Sequence, residues 1–347
     1  MTERSVAIAS FLKANGWHDE HRRPLSGDAS FRRYERLTDG ARQAVFMDAP
    51  PDKEDVRPFW GLSRYLNATG YSAPTVEAGD SECGALLLED FGDSLFSQVV
   101  RDQPDMETPL YEAAVDVLID LHQRPPPEAV AVPDGSEVSI PIYDDDLLMS
   151  EAELIVDWYL PAIRGSALSS ADRRSFEDVW RDVFHQIPNT RPVLVLRDYH
   201  ADNLIWLPDR VGIERVGLLD FQDAVAGHPA YDLVSLLEDA RRDVSAPLAE
   251  RMIDRYIAGR VGDAPSFDAE GFRSAYAILG AQRNTKIIGI FMRLWKRDGK
   301  PGYLDLIPRV WSLLEKDILH PTLSEVRRWL DVQVPAGRRT APFETVP

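Results

Sequence analysis

The stretch VLVLRDYHADNLIWLPD, residues 193–209, sets Asp198, His200 and Asp202 at every second position, with Asn203 immediately after. Apolar runs lie on both sides, so the polar cluster falls where one strand ends and another begins. Three chemistries fit these residue types. Alternating on one face of an extended segment, Asp198, His200 and Asp202 would make a transition-metal site for hydrolysis. Alone, Asp198 reads equally as a strand-end turn residue that caps backbone amides. A third chemistry comes from LLDFQDA, where Asp220 ends an apolar strand 22 residues after Asp198 and 17 after Asn203. Phosphoryl transfer from a nucleotide needs one carboxylate to orient the acceptor hydroxyl and take its proton, and Asp198 fits. It also needs an amide–carboxylate pair to hold Mg2+ against the phosphates, and Asn203 with Asp220 fits.

Composition narrows the partners. A net charge of −18 argues against nucleic acid or an anionic membrane, both of which need clustered Lys and Arg. Any bound phosphate must therefore be met locally, by backbone amides, a metal ion or a few placed arginines. The single cysteine, Cys83, excludes an intrachain disulfide and is poor material for zinc. The N-terminal MTERSVAIASFLKANGW lacks the apolar core of a signal peptide, and no segment approaches the roughly 20 apolar residues of a membrane span. A cytoplasmic protein is expected.

The elements that must position these residues divide the 347-residue chain in two. Residues 3–16 predict a short helix with Val6, Ile8, Ala9 and Leu12 inward, stopped by Gly16. Strands follow around a turn at Gly27–Ser30 and a hairpin at Asp39–Gly40, then a helix over 55–69 and short strands at 74–78 and 85–88. Residues 1–90 thus predict a small lobe of mostly antiparallel strands, and a hinge is expected near 89–92. From 91 to 330 helical periodicity dominates, over 111–123, 147–187, 230–258 and 270–295. A Pro-rich loop spans about 125–141. Two strand pairs interrupt the helices: VLVLRD with NLIWL, then RVGLLDF. Residues 331–347 lack an apolar period and are expected to form a mobile tail. The fold class is α+β, two lobes with a cleft between them.

LIDLH at 118–122, LRDYHADN at 196–203 and LDFQD at 219–223 resemble the aminoglycoside phosphotransferase and choline kinase superfamily, whose fold is protein-kinase-like. More narrowly, GDASFRRYERL, VFMDAPP, LLLEDFGDSLF, YDDDLLMSEAELIVDWYL and QRNTKIIGIFMRLWKRDGKPGYL resemble the anomeric kinases of N-acetylmuramate and N-acetylglucosamine, which serve bacterial cell-wall recycling. The likeness runs from about residue 5 to 330. It implies ATP and Mg2+ as cofactors and a small amino sugar as substrate. Asp198 would be the catalytic base, and Asn203 and Asp220 the metal ligands. The turn of Gly27, Asp28, Ala29 and Ser30 would close over the phosphates, helped by Arg32 or Arg33, and backbone groups of Glu89, Asp90 and Phe91 would take the adenine edge. His200, Asp202, Asp223, Glu153 and Arg283 are candidate sugar contacts, with Lys286 beside Arg283 on one helix face. The sequence departs from the family where a third-strand lysine is usual, which holds Met47 and Asp48, and where His-Gly precedes the catalytic Asp, which holds Leu196 and Arg197. Two other readings stay open: a kinase of another small hydroxylated substrate such as an aminoglycoside, amino alcohol or hydroxy amino acid, and a kinase-like protein that binds nucleotide without turnover.

Overall fold

The computed structural model describes residues 3–18, 21–25, 31–264 and 266–339. Helix α1 (Glu3–Ala14) buries Ile8 and Leu12, and Gly16, at φ +79°, turns the chain out of it. Val6 was expected inward but is 49% exposed; two residues from Ile8 is about 200° around a helix axis. Strands β1 (Arg22–Pro24), β2 (Arg33–Asp39), β3 (Arg42–Asp48), β4 (Val76–Asp80) and β5 (Ala85–Leu88) form an antiparallel sheet in the order β1-β2-β3-β5-β4. Helix α2 (Arg57–Ala68) lies between β3 and β4 in the chain. The β2–β3 hairpin closes through Gly40–Ala41, one position later than the expected Asp39–Gly40 turn, because Asp39 still pairs with Arg42 in the ladder; Gly40 takes the left-handed region that this turn requires.

The period-two pleat gives this sheet two different faces. Leu37, Ala44, Phe46, Ala85 and Leu87 point one way and pack with Ile8, Leu12 and Trp17 as a buried core. On the other face Tyr34 lies across from Met47, Arg36 across from Val45, and Val45 across from Leu88. The apolar face buys the sheet its stability and leaves the second face to carry polar groups.

Beyond the sheet the chain forms α3 (Phe96–Asp102), α4 (Glu107–Leu121), a short β6–β7 hairpin (Ala129–Ala131, Glu137–Ser139), α5 (Asp145–Ala152), a π turn at Ile155–Tyr159, α6 (Leu160–Arg164) and α7 (Ser170–Phe184). The hairpin falls within the segment expected as a loop. Four three-residue strands follow: β8 (Val193–Val195), β9 (Leu204–Trp206), β10 (Val216–Leu218) and β11 (Val225–Gly227). Helices α8 (Ala230–Leu237), α9 (Ala246–Asp263), α10 (Ala269–Asp298), α11 (Ile307–Asp317) and α12 (Ser324–Gln333) complete it. The tail expected from 331 begins instead as the last turn of α12, and Val334 and Arg339 are buried. Residues 340–347 lie outside the described residues.

The chain gathers into two compact units. One comprises residues 1–117, 126–141 and 201–224; the other comprises 118–125, 142–200 and 225–347. Strand partners differ from the expected ones. VLVLRD does not pair with NLIWL: β8 pairs with β11 through Val195 and Val225, while β9 pairs with β10 through Leu204 and Leu218. The segment 196–203 is no tight hairpin turn, and it hands successive strands to different units.

Candidate active site

In the first unit the β9–β10 hairpin does the positioning. Leu219 extends its ladder by donating its N–H to the Asn203 carbonyl at 2.9 Å. The open end of one hairpin therefore carries Asn203 and Asp220, and both line a cavity of about 480 Å³. Asp220 has φ +55°, a left-handed conformation costing a non-glycine residue roughly 1–2 kcal/mol. Two neighbours hold it there. Phe221 is fully buried and stacks on Phe59 of α2 with centroids 4.9 Å apart, and Gln222 Nε2 donates to Asp220 Oδ1 at 3.0 Å. An amide and a carboxylate at one cavity wall, supplemented by phosphate oxygens and water, suit the all-oxygen shell of Mg2+. Asp202 lines the same cavity, while Asp223 is exposed and takes Gln222 Nε2 at 3.2 Å.

Glu89, Asp90 and Phe91 also line this cavity. The Glu89 N–H is not available to a base, because it donates to the Thr75 carbonyl at 2.8 Å. Its carboxylate takes Thr75 Oγ1 at 3.0 Å and Arg210 Nη2 at 2.5 Å. Asp90 accepts Arg36 Nε at 2.6 Å and the Gly92 N–H at 2.9 Å, while Asp93 accepts Arg36 Nη1 at 2.8 Å. Arg36 thus ties β2 to the segment after β5. Met47 is buried and Asp48 pairs with Arg4, so β3 brings no cation to the cavity. Arg32 does line it, 3.7 Å from Glu54 and 3.7 Å from Asp220. Gly27, Asp28, Ala29 and Ser30 lie outside the described residues.

In the second unit Asp198 follows β8. Asp232, fully buried on α8, accepts the Leu196 N–H at 2.7 Å on one carboxylate oxygen and the Arg197 N–H at 2.8 Å on the other. This grip fixes the backbone just before Asp198, where Arg197 stands at φ +69°. The usual family residue there is glycine, which adopts that φ freely. Here an arginine adopts it, and its guanidinium pairs with buried Glu151 of α5. Glu151 also accepts Lys286 Nζ at 2.8 Å and the Tyr143 hydroxyl. Burial alone would raise the Asp198 carboxyl, but the charges of Lys286, His200, Arg283 and Arg197 outweigh it and hold the group below the usual carboxylate range. Asp198 is therefore ionised at neutral pH and able to accept a hydroxyl proton. Asp232 is the converse: burial lifts it to about 7 despite its two N–H donors.

The remaining candidates have partners of their own. His200 is buried with Nε2 3.4 Å from Arg241 Nη1, and burial keeps it below its usual value. Arg283 is buried and donates to Ser235 Oγ at 2.9 Å. Glu153 takes Arg173 Nη1 at 3.2 Å instead of joining the Asp198 surroundings. Among the described residues no group of three or more His, Cys, Asp or Glu could hold a metal ion, so Asp198, His200 and Asp202 do not make the hydrolase cluster. Sequence reasoning missed Glu151, Asp232 and Glu54. A signal for Glu151 existed: Leu148, Glu151 and Ile155 fall at helical spacing, so a carboxylate on that apolar stripe must find cations.

Comparison with known proteins extends these local features to the whole chain. The family model described as the phosphotransferase enzyme family matches residues 21–267. An N-acetylmuramate/N-acetylglucosamine kinase of Caulobacter vibrioides is 41% identical, over 97% of this chain and 99% of its own length. One of the same name from Pseudomonas aeruginosa is 36% identical over 90% of this chain and 88% of its own. Among solved structures, a choline/ethanolamine kinase family protein from Mesorhizobium loti has a TM-score of 0.58 at 13% identity, covering 95% of this chain and 98% of that one. That likeness carries the fold, and the antiparallel sheet followed by a mainly helical remainder agrees with it. With the family pattern spanning most of the chain and its relatives matching nearly end to end, the chain belongs to the phosphotransferase enzyme family.

Proposed function

We propose that this protein is a cytoplasmic ATP-dependent kinase that phosphorylates the C1 hydroxyl of N-acetylmuramate, N-acetylglucosamine or both, giving the sugar 1-phosphate within peptidoglycan recycling. The observation that carries the reading is the hairpin end that sets Asn203 and Asp220 on one cavity wall with Glu89–Phe91. In this reading residues 1–90 supply the nucleotide lobe, with the Glu89 carbonyl and the Phe91 amide toward adenine and the 27–30 turn toward the phosphates. The rest of the chain to 330 supplies Asp198 and the sugar contacts. Bound Mg2+ would neutralise charge on the transferred phosphoryl group. Asn203 and Asp220 would hold it; Asp198 would orient the acceptor hydroxyl and receive its proton. The low basicity of Asp198 suits this division, because a loose transition state asks for positioning more than for early proton removal. Relatives bearing the sugar kinase name favour the amino sugar over other acceptors.

Phosphorus NMR of ATP incubated with N-acetylmuramate, N-acetylglucosamine, aminoglycosides and amino alcohols tests the reading, since an anomeric phosphate has its own shift and is acid-labile. An acid-labile sugar phosphate is expected. Transfer to an amino alcohol alone, or nucleotide binding with no transfer, would replace it. Asp198→Asn should lower kcat by about 10²–10⁴-fold and leave ATP affinity within a few-fold; near-normal turnover would remove the base from this residue.

A further inference from the structure

Met47 stands where a kinase-like sheet carries the lysine that grips the nucleotide phosphates, a lysine held in turn by a glutamate. The pleat shows where another cation comes from. Tyr34 lies directly across from Met47, and Arg32, two residues earlier on the same strand path, falls on the same face. Arg32, Tyr34 and Arg36 all line the cavity. Arg36 is already bound between Asp90 and Asp93. Arg32 is the diagonal neighbour of Met47, a Cβ separation of about 7–8 Å that a long side chain covers. Its side chain is 11% exposed and lies 3.7 Å from Glu54 Oε2 and 3.7 Å from Asp220 Oδ1. Glu54 is itself fixed in the turn after β3, donating its N–H to the Pro50 carbonyl at 2.9 Å.

We propose that Arg32 grips the nucleotide phosphates and that Glu54 is its positioning residue, so that the lysine–glutamate pair of kinase-like sheets is rebuilt as an arginine–glutamate pair with the cation moved from β3 to the residue just before β2. An arginine suits the transfer. Its planar fork spans two phosphate oxygens, and its length makes up for the extra distance across the sheet. Arg32 also lies 3.7 Å from Asp220, the residue that would hold Mg2+, so the guanidinium stands beside the metal position.

The inference rests on the phosphotransfer reading only in requiring a ligand with phosphates, and binding separates the two. Calorimetry with ATP, ADP and adenosine, with Mg2+ and with chelator, should be run on the full chain and on Arg32→Met, Arg32→Lys and Glu54→Gln. Arg32→Met should weaken ATP and ADP by about 10- to 100-fold with adenosine unchanged, since a charge-assisted contact is lost. Arg32→Lys should recover part of that loss. Glu54→Gln should raise the KM for ATP several-fold with the KM for sugar unchanged, and adding it to Arg32→Met should cost little more. Equal losses for ATP and adenosine, ATP affinities within two-fold of wild type, or additive effects in the double variant would overturn the proposal. If Arg32→Met does not fold, the lysine variant and Glu54→Gln decide alone. If the wild type binds ATP without transferring phosphate, the kinase reading falls and the grip is still judged by affinity; if it binds no nucleotide, both fall.

Discussion

At Arg197 the backbone and the side chain meet different demands. The φ of +69° aims the chain into the Asp198 turn and is held by the two N–H bonds into Asp232. The guanidinium answers a separate need, as one of two cations beside buried Glu151. Two substitutions separate these. Arg197→Gly keeps the turn without strain and loses the cation; Arg197→Ala loses the cation and keeps a strain of about 1–2 kcal/mol. The expected order of kcat is wild type, then glycine, then alanine, with alanine about tenfold below glycine. Steady-state kinetics with matched melting temperatures checks it, and equal kcat in the two variants would mean that the turn does not depend on residue 197.

At the scale of elements, the short hairpin β9–β10 and helix α8 do most of the placing, and they differ in how far the sequence announces them. The hairpin signal at Asp39–Gly40, one position before the actual loop, the alternation of β2 with β3 and the D-x-x-x-x-N spacing are local signals and can be read directly. Which strand β8 joins cannot, because β8, β9 and β11 are each three residues long and similarly apolar. Glu151 is hidden for a related reason: its cations, Arg197 and Lys286, lie 46 and 135 positions away. The end of α4 shows the same limit. His122, from the motif LIDLH, is buried with Nδ1 2.7 Å from Tyr256 Oη of α9, and burial, then Arg260 and His228, push it down to about 3. Between about pH 6.5 and 3 the unfolded chain takes up a proton there that the folded chain refuses, so this residue's contribution to stability is present above 6.5 and is lost on acidification. His122→Asn should therefore change the slope of unfolding free energy against pH by up to about 1.4 kcal/mol per unit in that window, losing less stability than wild type as pH falls. Denaturant titrations at pH 4.5, 5.5 and 7 check this; parallel slopes would mean that His122 is protonated in the fold.

For the molecule as a whole, the net charge of −18 opposes the approach of an anionic nucleotide or muramic acid, and local arginines act only at short range. Screening should relieve that opposition. We expect kcat/KM for ATP to rise about two- to three-fold between roughly 10 and 150 mM salt, with kcat unchanged, as repulsion over a Debye length is shielded. A fall over that range would mean that a local positive field outweighs the net charge. No described helix is long and apolar enough to cross a membrane. The boundary between the compact units falls between His200 and Ala201, inside the loop that runs from Asp198 to Asn203, and Tyr199, His200 and Ala201 are all buried. Exchanging one side chain for another in that loop poses a packing problem with a local answer. Inserting or deleting a residue does not, because it would shift the register of these buried side chains along the loop. The loop should therefore tolerate a change of its letters more readily than a change of their number.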